Sequence, residues 1–131
     1  MLKILMISVT IVLMFQPQLM GEEKVVIAVA SDGETLKAAV SDVAARCPYF
    51  LIVDNKGTLL EAVENPYKDN KGGAGAAAAN FLAEKNVTIV IAGNFGNKMK
   101  DALETNEIAF FEFEGIVEDA IQKVLEEKGN K

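Results

Sequence analysis

The chain has 131 residues, 50% apolar and 24% charged, with three prolines, two tyrosines and no tryptophan, which is material for one domain. Lys and Arg number 13 against 19 Asp and Glu, a net charge of -6 with no basic run, which argues against a nucleic-acid partner. There is no histidine, so imidazole bases, His-based triads and His-rich zinc sites are excluded, and the lone Cys47 forms neither an intramolecular disulfide nor a C-x-x-C site.

Met1 to Met20 holds Lys3, an apolar stretch from Ile4 to Phe15 interrupted only by Ser8 and Thr10, and then Gln16, Pro17 and Gln18. A charge, an apolar core and a Pro-containing polar break is the layout of a secretory signal, and this core is shorter than the roughly 20 residues a membrane span takes. Residues 1–21 are read as a signal peptide, with an N-terminal anchor as the alternative, and residues 22–131 as the folded domain. Leu19 departs from the small-residue preference of a cleavage site ending at Gly21. A functional leader exports the protein to the periplasm or beyond, and contact with a membrane follows only if it stays uncleaved. A start codon set too early, with the true start near Lys24, leaves the chain in the cytoplasm.

Lys24 to Ala30 is a short β-branched run closed by Ser31-Asp32-Gly33, the pattern of a strand buried on both faces. Tyr49 to Asp54 and Thr58 to Glu64 flank Asn55-Lys56-Gly57, which predicts an antiparallel hairpin ended by Asn65-Pro66. Gly72-Gly-Ala-Gly75 opens an alanine-rich helix over Ala76 to Lys85, with Asn86 as its stop. Val87 to Ala92 is a second continuous strand, followed by Gly93-Asn-Phe-Gly96 and a helix capped by Asn97 and running through Leu103. After a fifth strand, Ile108 to Glu112, residues Ile116, Val117, Ala120, Ile121, Val124 and Leu125 mark the apolar stripe of a last helix closed by Gly129.

The order β-β-β-α-β-α-β-α, with helical crossovers between the third, fourth and fifth strands, predicts a single-domain α/β fold with a mixed five-stranded sheet. If the first strand lies between the hairpin and the fourth, one rim collects Ser31 to Gly33, Arg46-Cys47, Asn65 to Gly75, Gly93 to Gly96 and Glu114-Gly115. Ligands of open α/β sheets bind at such a rim.

Gly73-x-Gly75-x-x-Ala78 formally fits a dinucleotide fingerprint, but Asn65 to Gly72 separates it from the preceding strand and no ribose-holding acid follows the next one. There is also no Gly-Lys-Ser/Thr for a phosphate loop. Glycines before a helix expose backbone N–H groups and the positive dipole end, which suit an anionic ligand; equally, they let the helix start sit close to the sheet. Cys47 reads either as a small core residue or as an iron or copper thiolate ligand beside Arg46, whose charge favours thiolate and attracts an anionic cluster. Asp32, Asp42, Glu112 and Glu114 are candidates for the Mg²⁺ site of a metal-dependent hydrolase near the rim, although nothing fixes their spacing and solvated surface acids are the default in a chain this charged. Four of the five methionines, Met1, Met6, Met14 and Met20, lie in the leader, which leaves only Met99 for any copper handling.

Ile27-Ala-Val-Ala-Ser-Asp-Gly33, Val40-Ser41-Asp42 leading to Arg46-Cys47-Pro48-Tyr49-Phe50, Glu64-Asn65-Pro66-Tyr67, Gly72-Gly-Ala-Gly75 and Val90-Ile-Ala-Gly93 with Gly96 occur in order. In these segments the chain resembles the dinitrogenase iron-molybdenum cofactor biosynthesis family, the NifX/NifB C-terminal-like domains, over residues 24 to 127. The resemblance implies a ribonuclease H-like three-layer fold without nuclease activity, and binding and carriage of an iron-molybdenum-sulfur or iron-sulfur cluster rather than catalysis. Carried onto this sequence, it implies a ligand site at Arg46, Cys47, Gly72, Gly73, Gly75, Asn94 and Gly96, with Cys47 as metal ligand. Where the family has Ser-Glu-His-Phe-Gly-Arg, this chain reads Ser41-Asp-Val-Ala-Ala-Arg46, so Val43 stands in place of a histidine. The alternative expectation is an exported small-ligand or protein-interaction module that has lost metal binding.

Overall fold

A computed structural model describes residues 24–129; the signal peptide expected at residues 1–21 lies outside them. The elements are β1 (Ile27–Ser31), a 3-10 turn (Ala44–Arg46), β2 (Tyr49–Val53), β3 (Leu59–Glu64), α1 (Ala74–Glu84), β4 (Ile89–Ala92), α2 (Asn97–Thr105), β5 (Ala109–Glu112) and α3 (Val117–Gly129). The strands form one mixed sheet in the order β3-β2-β1-β4-β5. β1 is parallel to β4 and β4 to β5, while β2 is antiparallel to both β1 and β3. The first strand thus lies between the hairpin and the fourth, the condition under which the rim segments share one edge.

Alternation along the strands divides the interior into two layers. Ala28, Ala30, Phe50, Ile52, Val90 and Ala92 face α1 and α2, where Ala78, Ala79, Leu82, Met99 and Leu103 complete one core. Ile27, Val29, Leu51, Val53, Ile89 and Ile91 face α3 and meet Val117, Ala120, Ile121 and Val124. With helices on both faces, the central strands β1 and β4 are buried throughout, which is why they read as unbroken apolar runs. The three-layer α/β arrangement is the one expected. Among the described residues no helix is long and apolar enough to cross a membrane.

Local signals explain the turns. The Asp54 carboxylate accepts hydrogen bonds from the Lys56 and Thr58 amides at 2.9 Å each, fixing the β2–β3 turn. Asn86 stops α1 at φ 66°, a left-handed conformation that asparagine tolerates better than most residues. Several boundaries differ from expectation: α1 starts at Ala74 instead of Ala76 and α2 runs on to Thr105. Asn97 is the first residue of α2, not its cap: the N-cap is Gly96, and no side chain caps the helix. Ile116 precedes α3 and is 37% exposed, pairing with Ala39 in an isolated bridge instead of joining the apolar stripe.

Candidate functional site

The C-terminal ends of the parallel strands β1, β4 and β5 share one edge of the sheet with the start of β2. The segment after β1 is laid across this edge: Ser41 N–H donates to Ala30 O and Gly93 N–H to Ser41 O, each at 2.8 Å, and Ala44 N–H donates to Asn94 O at 3.1 Å. The Ser41 hydroxyl donates to the Asp32 carboxylate. The chain then makes the 3-10 turn and enters β2, so Arg46 and Cys47 stand where the rim meets the first core layer.

Adjacent residues face opposite ways there. Arg46 is exposed, and its Nη1 donates to Lys68 O at 3.0 Å and to Asn70 O, spanning to the loop that follows β3. Cys47 is 1% exposed and belongs to the core facing α1 and α2. Burial pushes its thiol up from 9.0 to about 12, and hydrogen bonds from the Ser31 amide and the Asn65 side chain offset only part of this. Of the two sequence readings of Cys47, a small core residue and a rim thiolate beside Arg46, this conformation has the first: the guanidinium binds loop carbonyls and the sulfur lies inside.

Between the N-termini of α1 and α2 lies a cavity of about 310 Å³, walled by Val43, Ala45 and Arg46, by Gly73 to Ala76, and by Gly96 to Met99. The first-turn amides of a helix have no intrahelical partner and carry the positive end of its dipole. Neither α1 nor α2 has a capping side chain or an acidic residue in its first turn. By contrast, α3 carries Glu118 and Asp119 in its first turn. The cavity wall contains no Asp, Glu, His or Cys, and its two formal charges, on Arg46 and Lys98, are both positive. Its wall is mainly apolar, with the acid-free first turns of α1 and α2, Arg46 and Lys98 as its polar and charged features.

The cavity unites Arg46, Gly73, Gly75 and Gly96 of the expected residues, whereas Gly72 and Asn94 lie outside its wall and Cys47 lies behind it. Gly73, at φ 74°, forms the left-handed N-cap of α1. Gly75 falls inside the helix, where an added Cβ would lie 3.0 Å from Met99 Cβ and 3.1 Å from Met99 N. Its absent side chain is what brings the two helix ends together. Sequence reasoning missed Lys98; its available signal was a lysine two residues after Gly96 in a first turn lacking acids. Among the described residues no group of three or more His, Cys, Asp and Glu is placed to hold a metal ion, so the four rim carboxylates do not assemble a Mg²⁺ site. A larger cavity of about 650 Å³ lies beside α3, but Glu118, Asp119 and Glu126 in its wall disfavour an anion.

The family model described as "Dinitrogenase iron-molybdenum cofactor" matches residues 23–127. Among solved structures, the apo form of the orange protein from Desulfovibrio gigas is 29% identical, with a TM-score of 0.76 over 82% of this chain and 92% of that one. A candidate NifB protein from Thermotoga is 34% identical, with a TM-score of 0.68 over 78% of this chain and 88% of that one. A candidate dinitrogenase from Methanocaldococcus jannaschii, 18% identical with a TM-score of 0.59 over 82% and 93% of the two chains, shares the fold. No curated protein matches. The chain belongs to the dinitrogenase iron-molybdenum cofactor family.

Proposed function

We propose that this member of the dinitrogenase iron-molybdenum cofactor family is a non-enzymatic carrier whose cargo is a compact anionic metal–sulfur cluster, held in the cavity between the N-termini of α1 and α2. One observation carries the reading: two helix ends without capping side chains, together with Arg46 and Lys98, line a single, mainly apolar cavity that has no acidic wall residue. The donor set suits an anion whose metals already hold sulfide ligands, and does not suit a bare metal ion, because the wall offers no carboxylate, imidazole or thiolate. Arg46, Gly73, Gly75, Gly96 and Lys98 would hold the cargo, with Gly72 and Asn94 at the margin of the site. Cys47 serves as a ligand only if the rim opens to expose it.

The same absence favours a second reading. With Val43 in the wall where the family has a histidine, the cavity would equally take a small anion that contains no metal, as in an exported binding module. Anaerobic mixing of the full chain with tetrathiomolybdate and ferrous iron, followed by gel filtration, metal and sulfide analysis and a visible spectrum, separates the two. Near-stoichiometric molybdenum that persists in Cys47→Ala and is lost in Lys98→Glu supports carriage in the cavity. Loss in Cys47→Ala alone would move the cargo to an opened thiolate site. Equal, substoichiometric metal in all three proteins overturns the carrier reading and leaves the metal-free module.

A further inference from the structure

The Asn65 side chain is 1% exposed, and its polar atoms bond to two different rim loops. Its Nδ2 donates to Ala45 O at 2.9 Å and to Cys47 O at 3.0 Å, the carbonyls on either side of Arg46, while its Oδ1 accepts from the Tyr67 amide at 3.0 Å. Its own amide donates to Pro48 O at 3.0 Å. One buried carboxamide therefore holds the backbone that presents Arg46 and also starts the loop whose Lys68 and Asn70 carbonyls receive the Arg46 guanidinium. The two residues form a closed clasp. Asn65 sets where the guanidinium begins, Arg46 crosses the gap, and the loop returns to Asn65 through Tyr67.

That loop leads on to Gly73, and the clasp's own bonds hold the Arg46 side of the cavity wall. We infer that Asn65, which does not line the cavity, is the positioning residue that fixes Arg46 in its anion-binding geometry. A charge on an exposed arginine is weak unless its fork is held, because the long side chain otherwise loses rotamer entropy on binding. Burying the clamp keeps water from competing for the two carbonyls that determine the backbone angle at Arg46. Aspartate cannot substitute, since it lacks the donor and would turn oxygen toward both carbonyls. This inference rests on the proposed anion site.

The test is a double-mutant cycle on tetrathiomolybdate binding with Asn65→Ala, Arg46→Ala and the pair, all in the full chain. If Asn65 acts through Arg46, each single change weakens binding by about tenfold and the pair by little more than one of them. Independent losses that multiply to about a hundredfold overturn the inference. A second arm needs no ligand: NMR of the Arg46 guanidinium and hydrogen exchange at the Tyr67 amide. Asn65→Ala should average the guanidinium signals, and Arg46→Ala, an exposed substitution that spares the core, should speed Tyr67 exchange. Unchanged Tyr67 exchange in Arg46→Ala overturns the clasp even if Asn65→Ala does not fold. Absence of tetrathiomolybdate binding by the wild-type chain counts against the cargo reading alone, and the NMR and exchange results then decide the clasp.

Discussion

Alkylation of the native chain by iodoacetamide distinguishes a Cys47 that serves the rim from one that belongs to the core. The thiolate is the reacting species, and raising the thiol from 9.0 to about 12 lowers the thiolate fraction near neutral pH by about a thousandfold. Its 1% exposure adds a steric barrier, so labelling of the folded chain should run through opening of the structure. The expected rate at about pH 8 is at least a thousandfold below that of the chain unfolded in guanidinium. Native labelling within about tenfold of the unfolded rate would refute the buried placement and return Cys47 to the rim as a ligand. The same shift has a thermodynamic consequence. The unfolded thiol ionises near 9 while the folded one stays protonated until about 12, so the unfolded state holds fewer protons in that window. Stability from this group is complete below about 9 and declines as pH rises toward about 12. Denaturant unfolding across this range should show the decline in the wild type and a shallower one in Cys47→Ala.

Gly75→Ala places a methyl 3.0 Å from Met99 Cβ and 3.1 Å from backbone nitrogen, which cannot swing aside. Overpacking of about 2 kcal/mol against a helix-propensity gain of about 1 leaves a net loss near 1 kcal/mol in urea unfolding, and a stabilised variant would show that the helix ends are free to separate. Gly73→Ala should cost about 1–2 kcal/mol because the N-cap sits at φ 74°, whereas Gly96→Ala, at φ −71° with open space around it, should stay within about 0.5. Equal effects at the two glycines would contradict the backbone assigned to the α1 start. Val43 is 40% exposed in the cavity wall, so Val43→His should give the chain affinity for cupric ion at least about tenfold above wild type by calorimetry, and no gain would mean that position 43 does not face the site.

The sheet and its order were legible because β1 and β4 are buried on both faces and announce themselves as unbroken apolar runs, while Asn55-Lys56-Gly57 marks the hairpin. Asn86 was legible for a local reason, its tolerance of a left-handed backbone. The site was legible only as a neighbourhood. Cys47 and Arg46 are adjacent in sequence, and the local chemistry left Cys47 open between core and rim; the contact that holds this backbone, from Asn65, 18 residues from Cys47, to the carbonyls of Ala45 and Cys47, has no local sequence signal. Gly75 reads as one of the glycines before a helix, free either to meet an anion or to bring the helix close to the sheet, yet its close neighbour is Met99, on a different helix. The cap of α2 was misread because Asn97 has the right chemistry one residue too late.

These placements alter what kind of selectivity the proposed site can have. A thiolate or imidazole in the wall would recognise metal identity through bond formation, whereas helix amides, Arg46 and Lys98 recognise charge and size. Cargo held this way should bind more weakly as ionic strength rises, since Arg46 and Lys98 are exposed and their attraction is screened within about 10 Å at 0.1 M salt. It should also leave without a covalent bond being broken, which suits transfer from one protein to another better than permanent residence. The site would then owe its geometry to the groups behind it: Gly75 brings the helix ends together, and Asn65 fixes the arginine between them.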